Sequence, residues 1–117
     1  MKEIKGACHC GSVEFQIEVE AGISAVRRCN CSLCRRKGAI MTSVPLERLT
    51  VTKGEECLTR YQWNTHTAKH YFCRICGIYT HHKRRSVPTE YGVNVACLED
   101  VDPFQFDEVV VGDGAAQ

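Results

Sequence analysis

Nine cysteines carry most of the chemistry in this 117-residue chain, and seven of them fall in three tight groups: Cys8-His9-Cys10, Cys29-Asn30-Cys31-Ser32-Leu33-Cys34 and Cys73-Arg74-Ile75-Cys76. Two or three thiols within a few residues have metal-ligand spacing. Zinc suits such ligands, because it prefers soft donors, packs four of them tetrahedrally and does no redox chemistry. Iron in a four-sulfur site stays open, since spacing alone does not separate two tetrahedral ions. The cysteine count is odd, so internal disulfides would leave one thiol over. Cys57 and Cys97 stand apart from the groups and read as small buried apolar side chains.

The glycines say which groups share a metal. Cys10 and Cys76 are each followed by glycine (Gly11, Gly77), whereas Cys34 is followed by Arg35. Glycine lets the backbone turn through positive φ so that amides face the sulfurs. Two such turns facing one another make a closed site of Cys8, Cys10, Cys73 and Cys76, a clip across a long loop that supports folding. The group Cys29, Cys31 and Cys34 then supplies three sulfurs and leaves a fourth tetrahedral position for water or substrate, which is the arrangement of catalytic zinc. It would hold its metal less firmly than the four-sulfur site. His66, His70, His81 or His82 could instead close it as a second structural site. Arg27, Arg28, Arg35, Arg36 and Lys37 flank the group and either attract an anionic substrate or form a solvated face.

These groups need a scaffold, and the pattern is mostly β. Val13 to Val19 alternates apolar and polar residues over seven positions, the period of a half-buried strand. Weaker extended signals lie at 40–44, 49–52, 58–63, 69–73, 78–82 and 91–97, with turns at Lys53-Gly54-Glu55 and near Pro88. One short helix is expected over Ser32–Lys37, stopped by Gly38. His81 and His82, adjacent in a strand, would point to opposite faces and read as a surface pair. The length fits one domain over 1–117, with residues 109–117 loosely held.

Fifteen basic and fourteen acidic side chains give a net charge of +1, too little field to hold nucleic acid or an anionic membrane. The opening residues Met1 to Gly6 lack a secretory apolar stretch, and no run is long enough to span a bilayer, so the expectation is a cytoplasmic protein. Reducing cytosol in turn favours metal over disulfides for the cysteines.

Four segments together resemble the glutathione-dependent formaldehyde-activating family, also called the centromere protein V type. They are Gly6 to Val13, Cys29 to Ala39, Phe72 to Ile78 and Tyr91 to Leu98, within a match running from about Gly6 to Asp102. The resemblance implies an Mss4-like fold of several small twisted antiparallel sheets stapled by zinc. It implies a structural zinc on Cys8, Cys10, Cys73 and Cys76 and a second zinc on Cys29, Cys31 and Cys34. It also implies carbon-sulfur lyase chemistry of the S-(hydroxymethyl)glutathione synthase type, in which the thiol of glutathione condenses with formaldehyde. A thiol taking the open position would lose its proton and attack the aldehyde held nearby. Arg28, Arg35 and Lys37 are the candidates for holding its carboxylates. The contrasting expectation is a non-catalytic protein-interaction module with two structural zincs.

Overall fold

The computed structural model describes every residue except Ser24, Asn64 and Gln117. Three strands form a small antiparallel sheet: β1 (Lys2–Ala7), β2 (Glu14–Val19) and β5 (Leu49–Lys53), in the order β1-β2-β5. The remaining strands are β3 (Arg27–Cys29), β4 (Met41–Pro45), β6 (Leu58–Tyr61), β7 (Lys69–Cys73), β8 (Tyr79–Lys83), β9 (Glu90–Asn94) and β10 (Val110–Gly112). They make one larger sheet ordered β10-β3-β4-β9-β8-β7-β6. Its pairs are antiparallel except for β10, which runs parallel to β3. One helix, α1 (Ser32–Lys37), links β3 to β4.

Strand β2 shows why the sheets meet. Its alternation sends Phe15 and Ile17 inward, where they are 1% and 0% exposed, and sends Glu14 and Glu18 to solvent. Burying side chains of this size is worth roughly 1.5–3 kcal/mol each. They pack with Ile4 and Leu49 of the small sheet and with Val44 and Val93 of the large one, so the main core lies between the two sheets. On β1, Gly6 carries no side chain because the Phe15 ring lies on its backbone; a Cβ there would sit 2.5 Å from Cζ. A second, smaller apolar cluster gathers Val13 and Leu58 around Cys8 and Cys73.

Four expectations need correction. The segment expected to be loosely held instead forms β10 and a following turn, because its backbone finds a partner strand in β3; Gln117 lies outside the described residues. The strand expected over 91–97 ends at Asn94, whose side chain accepts from the Ala96 N–H and starts a single 3-10 turn over Val95–Cys97. Cys57 and Cys97 pack against the two apolar clusters but are half-buried, not fully enclosed. His81 and His82 do point to opposite faces, yet neither is at the surface: they are 3% and 7% exposed, since β8 is an interior strand covered on both sides.

His81 faces the core, stacked on Tyr71 with ring centroids 4.8 Å apart and met edge-on by Tyr91. Burial pushes its pKa down to about 4. The folded state therefore resists a proton that the unfolded chain accepts from about pH 6.5 downward, so stability is complete above that pH and is lost as pH falls toward 4. We expect the wild type to lose about 2 kcal/mol more between pH 7 and pH 5 than His81→Phe does, measured by urea denaturation at the two pH values. Equal losses in the two proteins would show that His81 does not set this limb.

Candidate functional site

The first sulfur cluster joins two loops. Cys8 and Cys10 lie between β1 and β2, and Cys73 and Cys76 lie at the turn from β7 to β8. The Cys8–Cys10 and Cys10–Cys73 sulfur separations are 3.7 and 3.8 Å, and all four Sγ atoms lie within 4.8 Å of one another. Gly11 and Gly77 both adopt positive φ, +79° and +78°, as the turns require. Backbone amides are aimed at the sulfurs: Val13 N–H donates to Cys8 Sγ and Ile75 N–H to Cys73 Sγ, at 3.3 and 3.4 Å. The Cys10 amide likewise brings the Cys76 thiol down to about 6, whereas burial raises that of Cys8. Converging sulfurs that already accept amide hydrogen bonds are a donor set suited to a thiophilic ion.

The second cluster is built by one turn of chain. Cys29 ends β3, Cys31 caps α1 by accepting from the Cys34 N–H at 3.3 Å, and Cys34 is the buried residue of that helix. Gly38, at φ +67°, stops the helix as anticipated. The Cys31 N–H points at Cys29 Sγ, 3.5 Å away, and the three sulfurs again lie within 4.8 Å. Burial lifts the Cys34 thiol to about 12 despite the charge of Lys37. Burial is the largest single effect on Cys31 and acts upward, but hydrogen bonds from the Cys34 and Leu33 amides and from the neighbouring thiols together outweigh it and leave that thiol below its ordinary value. Either cluster can therefore hold a metal ion, and among the described residues no histidine joins the second one.

Of the candidate histidines, His70 and His82 stand on the wall of the cleft beside this cluster without joining it. His66 is exposed and His81 faces the core. His70 lies 3.1 Å from Lys37 Nζ and stacks on His82, which in turn bonds the Tyr79 hydroxyl. Burial holds His70 at about 4 and His82 at about 2, so both rings are neutral.

A cleft of about 200 Å³ opens beside the second cluster, with Cys29, Cys31 and Cys34 in its wall. Of the three residues expected to meet substrate, Arg28 lines it. Arg35 is exposed on the helix and does not line the cleft. Lys37 turns inward over the Tyr79 ring, 3.6 Å from its centroid. Sequence reasoning missed Trp63, Arg84 and Arg85, which also line the cleft but come from segments far from residue 29 in the chain. Arg27, one of the basic residues expected either to attract an anionic substrate or to form a solvated face, stands on the cleft wall. The signal that places it on the wall was the two-residue spacing from Cys29 along a strand, which puts both on one face.

The segment after β10 forms a further wall. Asn30 ties it down: its N–H donates to Gly112 O at 3.1 Å, its side-chain amide donates to Asp113 Oδ1 at 3.1 Å, and its Oδ1 accepts from Ala115 N–H at 2.9 Å. Gly114 then lies so close to the cluster that a Cβ would meet Cys29 Sγ at 2.5 Å. No helix of the described chain is long and apolar enough to cross a membrane.

Fold and site thus define a small, mostly β protein with two cysteine clusters able to hold metal, one of them opening on a cleft. A match to the family described as glutathione-dependent formaldehyde-activating enzyme covers residues 3–110. The fold is also similar to a structural-genomics crystal structure of a Rhodobacter sphaeroides protein, with a TM-score of 0.89 and 57% identity over 92% of this chain and 99% of that one. The chain belongs to the glutathione-dependent formaldehyde-activating enzyme family.

Proposed function

We propose that this chain is a zinc-dependent carbon-sulfur lyase-type enzyme that binds a small thiol, with glutathione the leading candidate, and condenses it with formaldehyde or a related small aldehyde. The observation that carries the reading is the difference between the two clusters. Four sulfurs close on one another, with Cys8, Cys73 and Cys76 in a small apolar cluster and Cys10 at the surface, whereas three sulfurs face an arginine-lined cleft. Cys8, Cys10, Cys73 and Cys76 would hold a structural zinc, and Cys29, Cys31 and Cys34 a second zinc with one position free. Zinc in the second site would supply Lewis acidity that favours the thiolate form of an incoming thiol.

The chain's own residues do the rest. The cysteine amide bonds fix the sulfurs, the wall at Gly114 narrows the approach, and the arginines favour an anionic partner. In the condensation a carbon-sulfur bond forms between the thiol sulfur and the aldehyde carbon. The carbonyl π pair moves to oxygen, which takes up a proton equivalent to the one the thiol gave up, so nothing is oxidised or reduced.

The test is zinc content per chain for wild type and Cys31→Ser, with a glutathione titration by calorimetry. Two zincs falling to one, with glutathione binding lost and the melting temperature within a few degrees of wild type, is the expected result. An unchanged second metal, or two zincs with no thiol affinity, would favour the protein-interaction module instead.

A further inference from the structure

We infer that Arg27, set by Ser43 and Arg84, is a carboxylate-receiving specificity residue, so that the cleft selects a short thiol carrying a carboxylate over neutral or cationic thiols. The inference rests on the open three-cysteine site proposed above and adds the second point at which the ligand is held. Arg27 and Cys29 alternate onto the same face of β3, with about 7 Å between their backbone positions. Both line the cleft. A ligand with its sulfur at the cysteine cluster therefore meets Arg27 only a few bonds farther along.

The charge arrangement asks for an anion. The Arg27 guanidinium is half-buried, and one of its amino groups bonds Ser43 Oγ. Arg84 reaches the same hydroxyl at 3.4 Å, bringing a second positive charge alongside. Glu90 is engaged by Arg84 at 2.6 Å, and among the described residues no carboxylate pairs with Arg27. A partly desolvated cation whose nearby carboxylate, Glu90, is already bonded to another arginine is costly, and a planar guanidinium offers paired N–H groups that match a carboxylate. The thiol's carboxylate supplies the missing partner. The cleft is smaller than the usual 300–1,000 Å³ of ligand pockets, which favours a ligand whose two functional groups lie close together.

Calorimetric titration of the zinc-loaded protein with mercaptopropionate, mercaptoethanol and cysteamine separates the two ideas. Wild type should bind mercaptopropionate about tenfold or more tightly than mercaptoethanol, with cysteamine weakest, as expected for a charge-assisted pair. Arg27→Gln should bring mercaptopropionate down to the mercaptoethanol level without changing mercaptoethanol itself. Arg27→Lys should keep part of the preference, because a point charge remains without the fork. It also carries the test if Arg27→Gln does not retain two metals. Equal binding of the three thiols by wild type, or an undiminished preference in the Arg27 variants, would overturn this assignment alone. No binding of any thiol would overturn the proposed function and this assignment with it.

Discussion

With a structural zinc at the four-cysteine cluster as proposed, Cys73→Ser should leave the protein unfolded or close to it and unable to hold metal there. Cys73 is wholly buried and its sulfur joins loops 63 residues apart at Cys10. It sits in the small apolar cluster with Cys8 and Val13, so the substitution removes one of the four converging sulfurs and places a hydroxyl among apolar atoms at once. Binding of a structural zinc is worth about 10–16 kcal/mol in small zinc domains, whereas a whole domain is stable by only about 5–15 kcal/mol. A zinc bound there would therefore contribute as much as the entire margin. Far-ultraviolet circular dichroism and zinc content on the purified variant are the readout. A folded Cys73→Ser protein melting near the wild-type temperature would show that the apolar cluster alone holds these loops. The contrast with Cys31→Ser is the point: its cluster is contained in a few residues of continuous chain, so its loss closes no long loop.

Gly54→Ala should destabilise the fold by about 3 kcal/mol or more, although it adds one methyl group. Gly54 adopts φ +76°, which costs other residues about 1–2 kcal/mol. Its missing Cβ would lie 1.8 Å from the backbone oxygen of Ser12, so two main-chain segments would have to part. Ser12 sits between Gly11 and Val13, whose N–H donates to Cys8 Sγ, and the displacement would reach the four-cysteine cluster. Gly22→Ala is the control: its φ is +88° but nothing lies within 4 Å of an added Cβ, so only the conformational cost applies. Chemical denaturation of both variants, with zinc content of the first, distinguishes the terms. Equal losses would mean that the Ser12 contact relaxes freely.

What could be read from sequence was local. The alternation of Val13 to Val19 yields β2, and Gly38 ends α1 where a left-handed residue is needed. The cysteine groups are legible because their ligand spacing is set within each turn. What stayed hidden depends on partners. β1 contributes Ile4 and a bare Gly6 to the interior, a pattern with almost no apolar signal. Three-residue strands such as β3 and β10 carry too few positions to show any period, and β10 exists because β3 lies beside it. His81 and His82 were misplaced for the same reason, since alternation tells which faces they take but not that both faces are covered. Arg84 and Trp63 join the cleft through the order of the large sheet and its connecting loops, which no local pattern announces.

The pinning of Gly112 to Ala115 against Asn30 and Cys29 bears on how the molecule is made. A ribosome delivers the chain from its amino terminus, and the four-cysteine clip has all its parts once residue 76 has emerged. The wall over Cys29 has to wait for residues 110–115, which are synthesised after every other strand of both sheets. Scaffold and cleft are thus completed in that order during translation, and a ribosome stalled between the end of β9 and residue 110 would carry a chain with all four sulfurs of the clip but lacking one side of the cleft.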